Sequence, residues 1–305
     1  MRYRSHVYDS SRWEGFAFRA DDVVISTPAK CGTTWMQMLC ALLIFDGPRF
    51  PGPLDAISPW LDMCNRPLDD VRRALEAQRH RRFIKTHTPL DGLPHDPRVT
   101  YLVVGRDPRD VAISFDHHRE NMDFDHFMAL RAAAVGVDDL ADLPPRREPI
   151  ADPVERFRAF IADDTPGGTS LGAVLHHLDT GWQRRHDANV TLFHYADMKT
   201  DLVGELTRLA TALGIACSPE RAQALAPEAS LARMRERASE VAPSASEKNW
   251  KDTRQFFRKG ALGEWRERLG PAELAAYDAR VAALVPPDLA TWVHHGRQSA
   301  DPRTS

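Results

Sequence analysis

No two cysteines in this 305-residue chain are spaced as a zinc site or a redox motif requires. Cys31, Cys40, Cys64 and Cys217 stand apart and read as reduced thiols. Long hydrophobic runs are missing too. The longest, Trp35 to Phe45, is interrupted by Gln37 and is far too short to span a bilayer. The first residues, MRYRSHVYDSSRWEGF, carry basic side chains but not the apolar stretch of a secretory signal. A cytoplasmic location is therefore expected. Neither sign of charge dominates: 40 Lys and Arg against 43 Asp and Glu leave a net charge of -3. That balance excludes a general nucleic-acid or anionic-membrane binder, so any anionic ligand must be met by a local cluster of cations. Repeats, low-complexity tracts and a clean domain break are also absent. One domain over residues 1–305 is expected, with a tail from Gly296 to Ser305 that should fray.

What is present is an alternation. Runs rich in β-branched and apolar residues cover Asp22 to Thr27, Arg82 to Lys85, Val99 to Gly105 and Asn189 to His194. Nearly continuous apolar runs are the mark of strands buried on both faces, as in a parallel sheet. Helical patterns fill the gaps at Thr34 to Phe45, Leu68 to Arg79, Arg109 to Arg119 and Leu202 to Leu213. The expected fold is therefore α/β: a central, mostly parallel sheet flanked by helices, with ligands beyond the carboxyl ends of the strands. Gly136 to Pro153 (with Pro144-Pro145), Asp163 to Gly168 and Pro243 to Asn249 read as irregular or turn segments.

The most informative stretch is Val23-Val-Ile-Ser-Thr-Pro-Ala-Lys-Cys-Gly-Thr-Thr-Trp35, a buried strand running through a Pro/Gly turn into an apolar helix. Such a turn aims free backbone N–H groups and the positive end of the helix dipole at one point. Lys30 adds a full charge, Thr33 and Thr34 add hydroxyl donors, and Gly32 allows an oxyanion close to the backbone. The order differs from the nucleoside-triphosphatase loop, because Lys30 precedes Gly32 instead of following it. By itself the segment is as readily an ordinary strand-to-helix turn with an incidental lysine.

Three more segments carry chemistry-bearing residues. Lys85 and His87 are two apart, so in an extended segment both side chains point to one side. Asp107-Pro108 marks a helix start, which places Ser114 two turns on and lets it converge with Arg106 on one phosphate. The alternative there is that Arg106 and Arg109 only balance Asp107 and Asp110. Arg258-Lys259-Gly260 sets two cations before a glycine, and alone it is equally a solvated basic turn.

Taken in order, these segments resemble the cytosolic family of sulfotransferases that use PAPS (3′-phosphoadenosine-5′-phosphosulfate). Lys30-Cys-Gly-Thr-Thr-Trp35 is similar to the family's Lys-Ser-Gly-Thr-Thr-Trp loop, with Cys31 in place of Ser. Lys85-Thr-His87 resembles its catalytic strand end, Arg106 to Ser114 its 3′-phosphate site, and Phe257 to Trp265 its Arg-Lys-Gly motif. The resemblance extends from about residue 20 to 285. It implies a P-loop-like phosphosulfate site with PAPS as donor, PAP as product and no metal. It further implies His87 as general base, with Lys30 and Lys85 stabilising the departing phosphate. The nucleotide would be held by Lys30, Cys31, Gly32, Thr33, Thr34, Trp35, Arg106, Ser114, Tyr195, Arg258, Lys259 and Gly260, with Trp35 on the adenine. Ser230 and Leu231 fall in the weaker counterpart Ala229-Ser-Leu-Ala-Arg-Met234, where a hydroxyl and an aromatic of the family pattern are missing. No counterpart of the family's dimerisation motif stands at Arg266 to Glu273, so the oligomeric state is left open.

The expected acceptor is a small, lipophilic molecule with a hydroxyl or amine. Its pocket is expected from Asp46 to Asn65, Phe115 to Arg131 and Gly136 to Pro153, with Trp60, Phe115, Phe124 and Phe127 as candidate walls. The pairs His117-His118, His176-His177 and His294-His295 diverge and are read as non-ligands. The Ala/Arg-rich composition suggests a high-GC bacterial source. Two rival readings stay open: a metal-dependent kinase sharing the strand-loop-helix site, and a nucleotide-binding module without activity.

Overall fold

The four apolar runs form strands β1 (Val23–Ser26), β2 (Phe83–Thr86), β3 (Thr100–Gly105) and β4 (Val190–His194), each bound within one residue of the sequence reading. The computed structural model describes residues 1–144, 149–165, 168–245 and 247–304. Residues 145–148, 166, 167, 246 and 305, which fall in the expected irregular segments and tail, lie outside the described residues. All strand pairs are parallel, in the order β2-β1-β3-β4. β1 is central, with the chain turning to β2 on one side and β3 on the other, so the strand order reverses between β1 and β3. A crevice opens beyond the strand ends at such a point.

The longer helices are α1 (Thr33–Ile44), α2 (Leu68–Ala77), α3 (Pro108–Asn121), α4 (Phe124–Val135), α5 (Pro153–Ala162), α6 (Leu171–Trp182), α7 (Leu202–Ala212), α8 (Pro271–Leu284) and α9 (Pro287–His295). Four of them, α1, α2, α3 and α7, follow the apolar periodicity of the sequence. α5, α8 and α9 carry a different mark, a proline in the first turn, where its missing N–H costs nothing. The sheet divides the core into two clusters. Val23, Ile25, Leu102 and Val104 face α1 and α7, whereas Val24, Tyr101 and Val103 face α3, α5, α6, α8 and α9. Alternate residues of one strand thus serve opposite layers, which is why the strands read as unbroken apolar runs. Among the described residues no helix is long and apolar enough to cross a membrane.

The tail makes contacts with the body of the fold as far as Arg303. Arg297 donates its backbone N–H to Asp197 at 2.8 Å and its guanidinium to Glu205 at 3.1 Å, and Arg303 donates to the Val190 carbonyl at 3.0 Å. Buried acidic and strand-edge acceptors hold this segment, and no apolar periodicity announces them.

One buried ion pair joins the amino ends of two strands. Arg82 donates Nε to Asp22 Oδ1 at 2.8 Å and Nη2 to Oδ2, with both side chains 2% exposed. Removing one partner strands the other charge in the core. The substitution Asp22→Ala is therefore expected to cost about 3–5 kcal/mol of unfolding free energy, measurable by chemical denaturation.

Candidate active site

The loop from Thr27 to Gly32 leaves β1 at the reversal point and feeds α1. Gly32 caps α1 in a left-handed conformation, φ 106°, and a Cβ there would lie 3.1 Å from the Tyr195 ring. Lys30 also has positive φ, 69°, an uncommon geometry for a side-chain-bearing residue that is found at functional loops. Thr33 and Thr34 are buried in the first turn, and Thr27 Oγ1 and Thr33 Oγ1 share a 2.5 Å hydrogen bond. The loop stands where anions bind, at a helix N-terminus. Burial, then the charges of Arg106, Lys85 and Arg258, lower the Lys30 ammonium to about 7.

β2 supplies the next pair. Lys85 lies in register with Ile25 of β1, and its ammonium sits 4.4 Å over the Trp60 ring. Burial brings its pKa down to about 8. His87 follows the strand, and its Nδ1 is 2.7 Å from the Thr27 carbonyl. A carbonyl only accepts, so Nδ1 carries the proton and Nε2 keeps a free lone pair. Burial and the nearby Lys85 charge hold this imidazole well below its ordinary pKa, against the pull of the Thr27 carbonyl, so the ring is neutral.

The strand end is fixed from behind. Asp62 is fully buried, and its Oδ2 accepts from Thr86 Oγ1 at 2.7 Å and Thr88 Oγ1 at 2.6 Å. Ser26 gives its hydroxyl proton to the Thr88 carbonyl at 2.7 Å and therefore accepts from His177 Nε2 at 2.9 Å. Residues on both sides of His87 are thus tied to the fold by buried polar bonds, which in low dielectric admit few alternatives.

α3 begins as its sequence implies, with Asp107 Oδ1 accepting from the Arg109 N–H at 2.9 Å. The two arginines there divide. Arg109 pairs with Asp107 at 2.8 Å and lies 3.9 Å over the Trp265 ring, a structural role. Arg106 instead donates to the Lys30 and Ala261 carbonyls, both at 3.1 Å, lies 4.3 Å over the Tyr195 ring, and leaves Nε buried without a partner. Asp110 accepts the Gly263 N–H at 2.9 Å and so brings the Arg258-Lys259-Gly260 segment to the helix. Arg258 pairs with Glu264 at 2.5 Å, and Lys259 is exposed. Gly260, at φ 57°, passes so near Tyr195 that a Cβ would lie 3.1 Å from its hydroxyl.

These parts surround one cavity of about 940 Å³. Every residue singled out from the sequence as catalytic or nucleotide-binding lines it except Cys31. The Cys31 side chain turns into the hydrophobic core, where burial pushes its thiol up to about 12. The substitution at this position thus leaves the cavity wall unaltered. Trp35 and Tyr195 meet edge to face at 5.3 Å on the wall, and Ser230 caps a short helix beside Leu231. Of the candidate acceptor walls, Trp60, Phe115 and Phe124 line the cavity, whereas Phe127 is fully buried outside it. None of the described residues in 136–144 and 149–153 contributes. Other segments do so in their place: Tyr3, His6 and Tyr8 from the amino end, and Asn249 and Trp250 from the later loop. His118 and His177 also reach the cavity, and neither was legible as a site residue.

The sulfotransferase domain family matches residues 20–285 of the chain. A glycolipid sulfotransferase of Mycobacterium bovis (strain BCG / Pasteur 1173P2) is 46% identical over 98% of this chain and 96% of its own. Rat sulfotransferase 1A1 is 26% identical over 88% and 86% of the two chains. The fold is shared with retinol dehydratase in complex with androsterone and inactive cofactor PAP, with a TM-score of 0.70, 21% identity and coverage of 92% and 87%. A mouse sulfotransferase complexed with PAP aligns with a TM-score of 0.66 and 21% identity over 95% and 93%.

Loss of the Asp62 carboxylate would leave the buried hydroxyl protons of Thr86 and Thr88 without their acceptor. Asp62→Ala is expected to lower unfolding free energy by about 1–3 kcal/mol in denaturant titrations, with Asp62→Asn losing less.

Proposed function

Because the chain belongs to the sulfotransferase family, we propose that it transfers a sulfuryl group from PAPS to a hydroxyl of a lipophilic acceptor, with His87 as general base. The observation that carries this reading is the His87 ring. Its Nδ1–H is committed to Thr27, so Nε2 enters a cavity lined by Lys30 and Lys85 as a bare lone pair. Fit to the donor is supported by Arg106 Nε and Trp35 Nε1, both buried N–H groups without partners on this wall. A bis-phosphorylated adenosine nucleotide would answer the first with an anionic oxygen and lie against the ring of the second.

In this reading His87 Nε2 takes the acceptor's hydroxyl proton as that oxygen forms a bond to sulfur. The bond between sulfur and the bridging phosphate oxygen breaks, and its electron pair stays on the oxygen, which leaves with PAP. Lys30 and Lys85 stabilise the charge gathering there. Such transfer is governed by positioning and electrostatics, as in phosphoryl transfer.

The acceptor side supports a lipid-borne alcohol, the amine alternative being the weaker fit. Trp60, Phe115, Phe124 and Trp250 give the cavity a predominantly apolar wall, and the mycobacterial relatives are named for glycolipids. The kinase rival finds no support in the loop order. An inactive nucleotide-binding module would have no use for an imidazole held neutral beside two ammonium groups.

His87→Ala is expected to lower kcat by at least about 10²-fold with labelled PAPS and a panel of phenols, sterols and glycolipids, while PAP affinity by calorimetry stays within about twofold. Appreciable turnover in that variant would remove His87 from its role. A second expectation concerns pH. Ammonium groups at about 7 and about 8 in the free protein favour the polyanionic ligand only while protonated. PAP affinity should therefore fall as pH rises above 7, with net proton uptake on binding, and calorimetry in buffers of different ionisation enthalpy reads both. Binding that is flat from pH 6.5 to about 8.5 would contradict it.

A further inference from the structure

One imidazole of the cavity takes no part in the transfer just described. His118 lies on α3 one turn beyond Ser114, so the two residues share a helix face. Three aromatic rings fix it: Phe115 stacks at 5.4 Å between centroids, and Trp250 and Phe256 approach edge-on at 5.0 and 6.4 Å. Lys30 Nζ is 3.4 Å from His118 Nδ1 and 4.5 Å above the Phe256 ring. While Lys30 is protonated it has donors and no lone pair, so Nδ1 is then the acceptor and the ring is neutral. Burial, and then the charges of Lys30 and Lys85, favour that neutral form.

The surroundings of Lys30 explain why such a contact matters. Lys85 from β2, Arg106 from the end of β3 and Arg258 from the carboxyl-terminal segment all repel it. Among the described residues no carboxylate pairs with it. A four-carbon stem in a repulsive field has many rotamers, and aiming its head requires a neutral acceptor.

We propose that His118 is a positioning residue for Lys30. Its Nδ1 lone pair, together with the Phe256 face, anchors one N–H of the ammonium and leaves two for the oxygen that departs from sulfur. The inference rests on the reading that Lys30 stabilises that oxygen. Preorganised charge acts through its placement, so the anchor should appear in the chemical step and not in donor binding.

Two substitutions separate the lone pair from the ring. His118→Phe keeps the stack on Phe115 and removes the acceptor, and His118→Asn sets an amide oxygen near the place of Nδ1. Steady-state rates with labelled PAPS, PAP calorimetry and melting temperature are read on both, beside Lys30→Ala and the double variant Lys30→Ala/His118→Phe. The expected result is a kcat lower by on the order of tenfold in His118→Phe, with donor KM and PAP affinity within about twofold. Most of the rate should return in His118→Asn. The phenylalanine substitution should cost nothing further when Lys30 is already alanine, as coupled residues require. A wild-type kcat in His118→Phe alongside an impaired Lys30→Ala overturns the anchor. So do equal losses in the Phe and Asn variants at unchanged melting temperature. An unimpaired Lys30→Ala overturns the reading of Lys30 itself.

Discussion

Lys30, Lys85, Arg106 and Arg258 are held around one cavity, and their mutual repulsion is the constraint that organises the rest of the site. Like charges at this density stay together only if the chain that carries them cannot relax. Here they sit on the loop after β1, in β2, after β3 and in a distant carboxyl-terminal segment. Three of those carriers are ends of adjacent hydrogen-bonded strands, which is a stiff frame. The fourth is tied to α3 by Asp110 accepting the Gly263 N–H. Arg106 donates to two carbonyls, which are neutral acceptors, and forms no ion pair among the described residues. A polyanionic donor would relieve the repulsion, so binding and electrostatic relief are one event.

The same economy governs the end of β2. His87 is neutral and protonated on Nδ1, and both conditions come from neighbours: the Thr27 carbonyl sets the tautomer, while burial and Lys85 set the charge. Asp62, Thr86, Thr88, Ser26 and His177 form a chain of buried polar bonds behind it. Asp62 is thereby both a scaffold and, through its charge, a partial counterweight to Lys85. Stability and chemistry meet in one carboxylate.

Much of this was legible in residue order because the relevant physics is local. A strand, a turn with glycine and a helix start are decided within a dozen residues, so the Lys30 to Trp35 loop and the Asp107 cap could be read directly. Alternation placed Lys85 and His87 on one side. The cases of Arg106 and Arg109 show where such reading stops. Both stand beside aspartates, and only the packed structure shows that Arg109 pairs with Asp107 while Arg106 does not. Phe127 and Phe124 are likewise three apart on α4, yet one enters the core and the other the cavity wall.

By itself the sequence determined the class of fold, the four strands, and the short segments whose side chains meet at the cavity, since these depend on backbone conformation and neighbouring residues. Tertiary structure alone decided which cations form no ion pair among the described residues, which tautomer His87 holds, that Cys31 faces inward, and that the amino end and the loop at Asn249–Trp250 wall the cavity. The reason is physical. Charge pairing, desolvation and cavity shape are set by groups far apart along the chain, and no local pattern records how far apart they end in space.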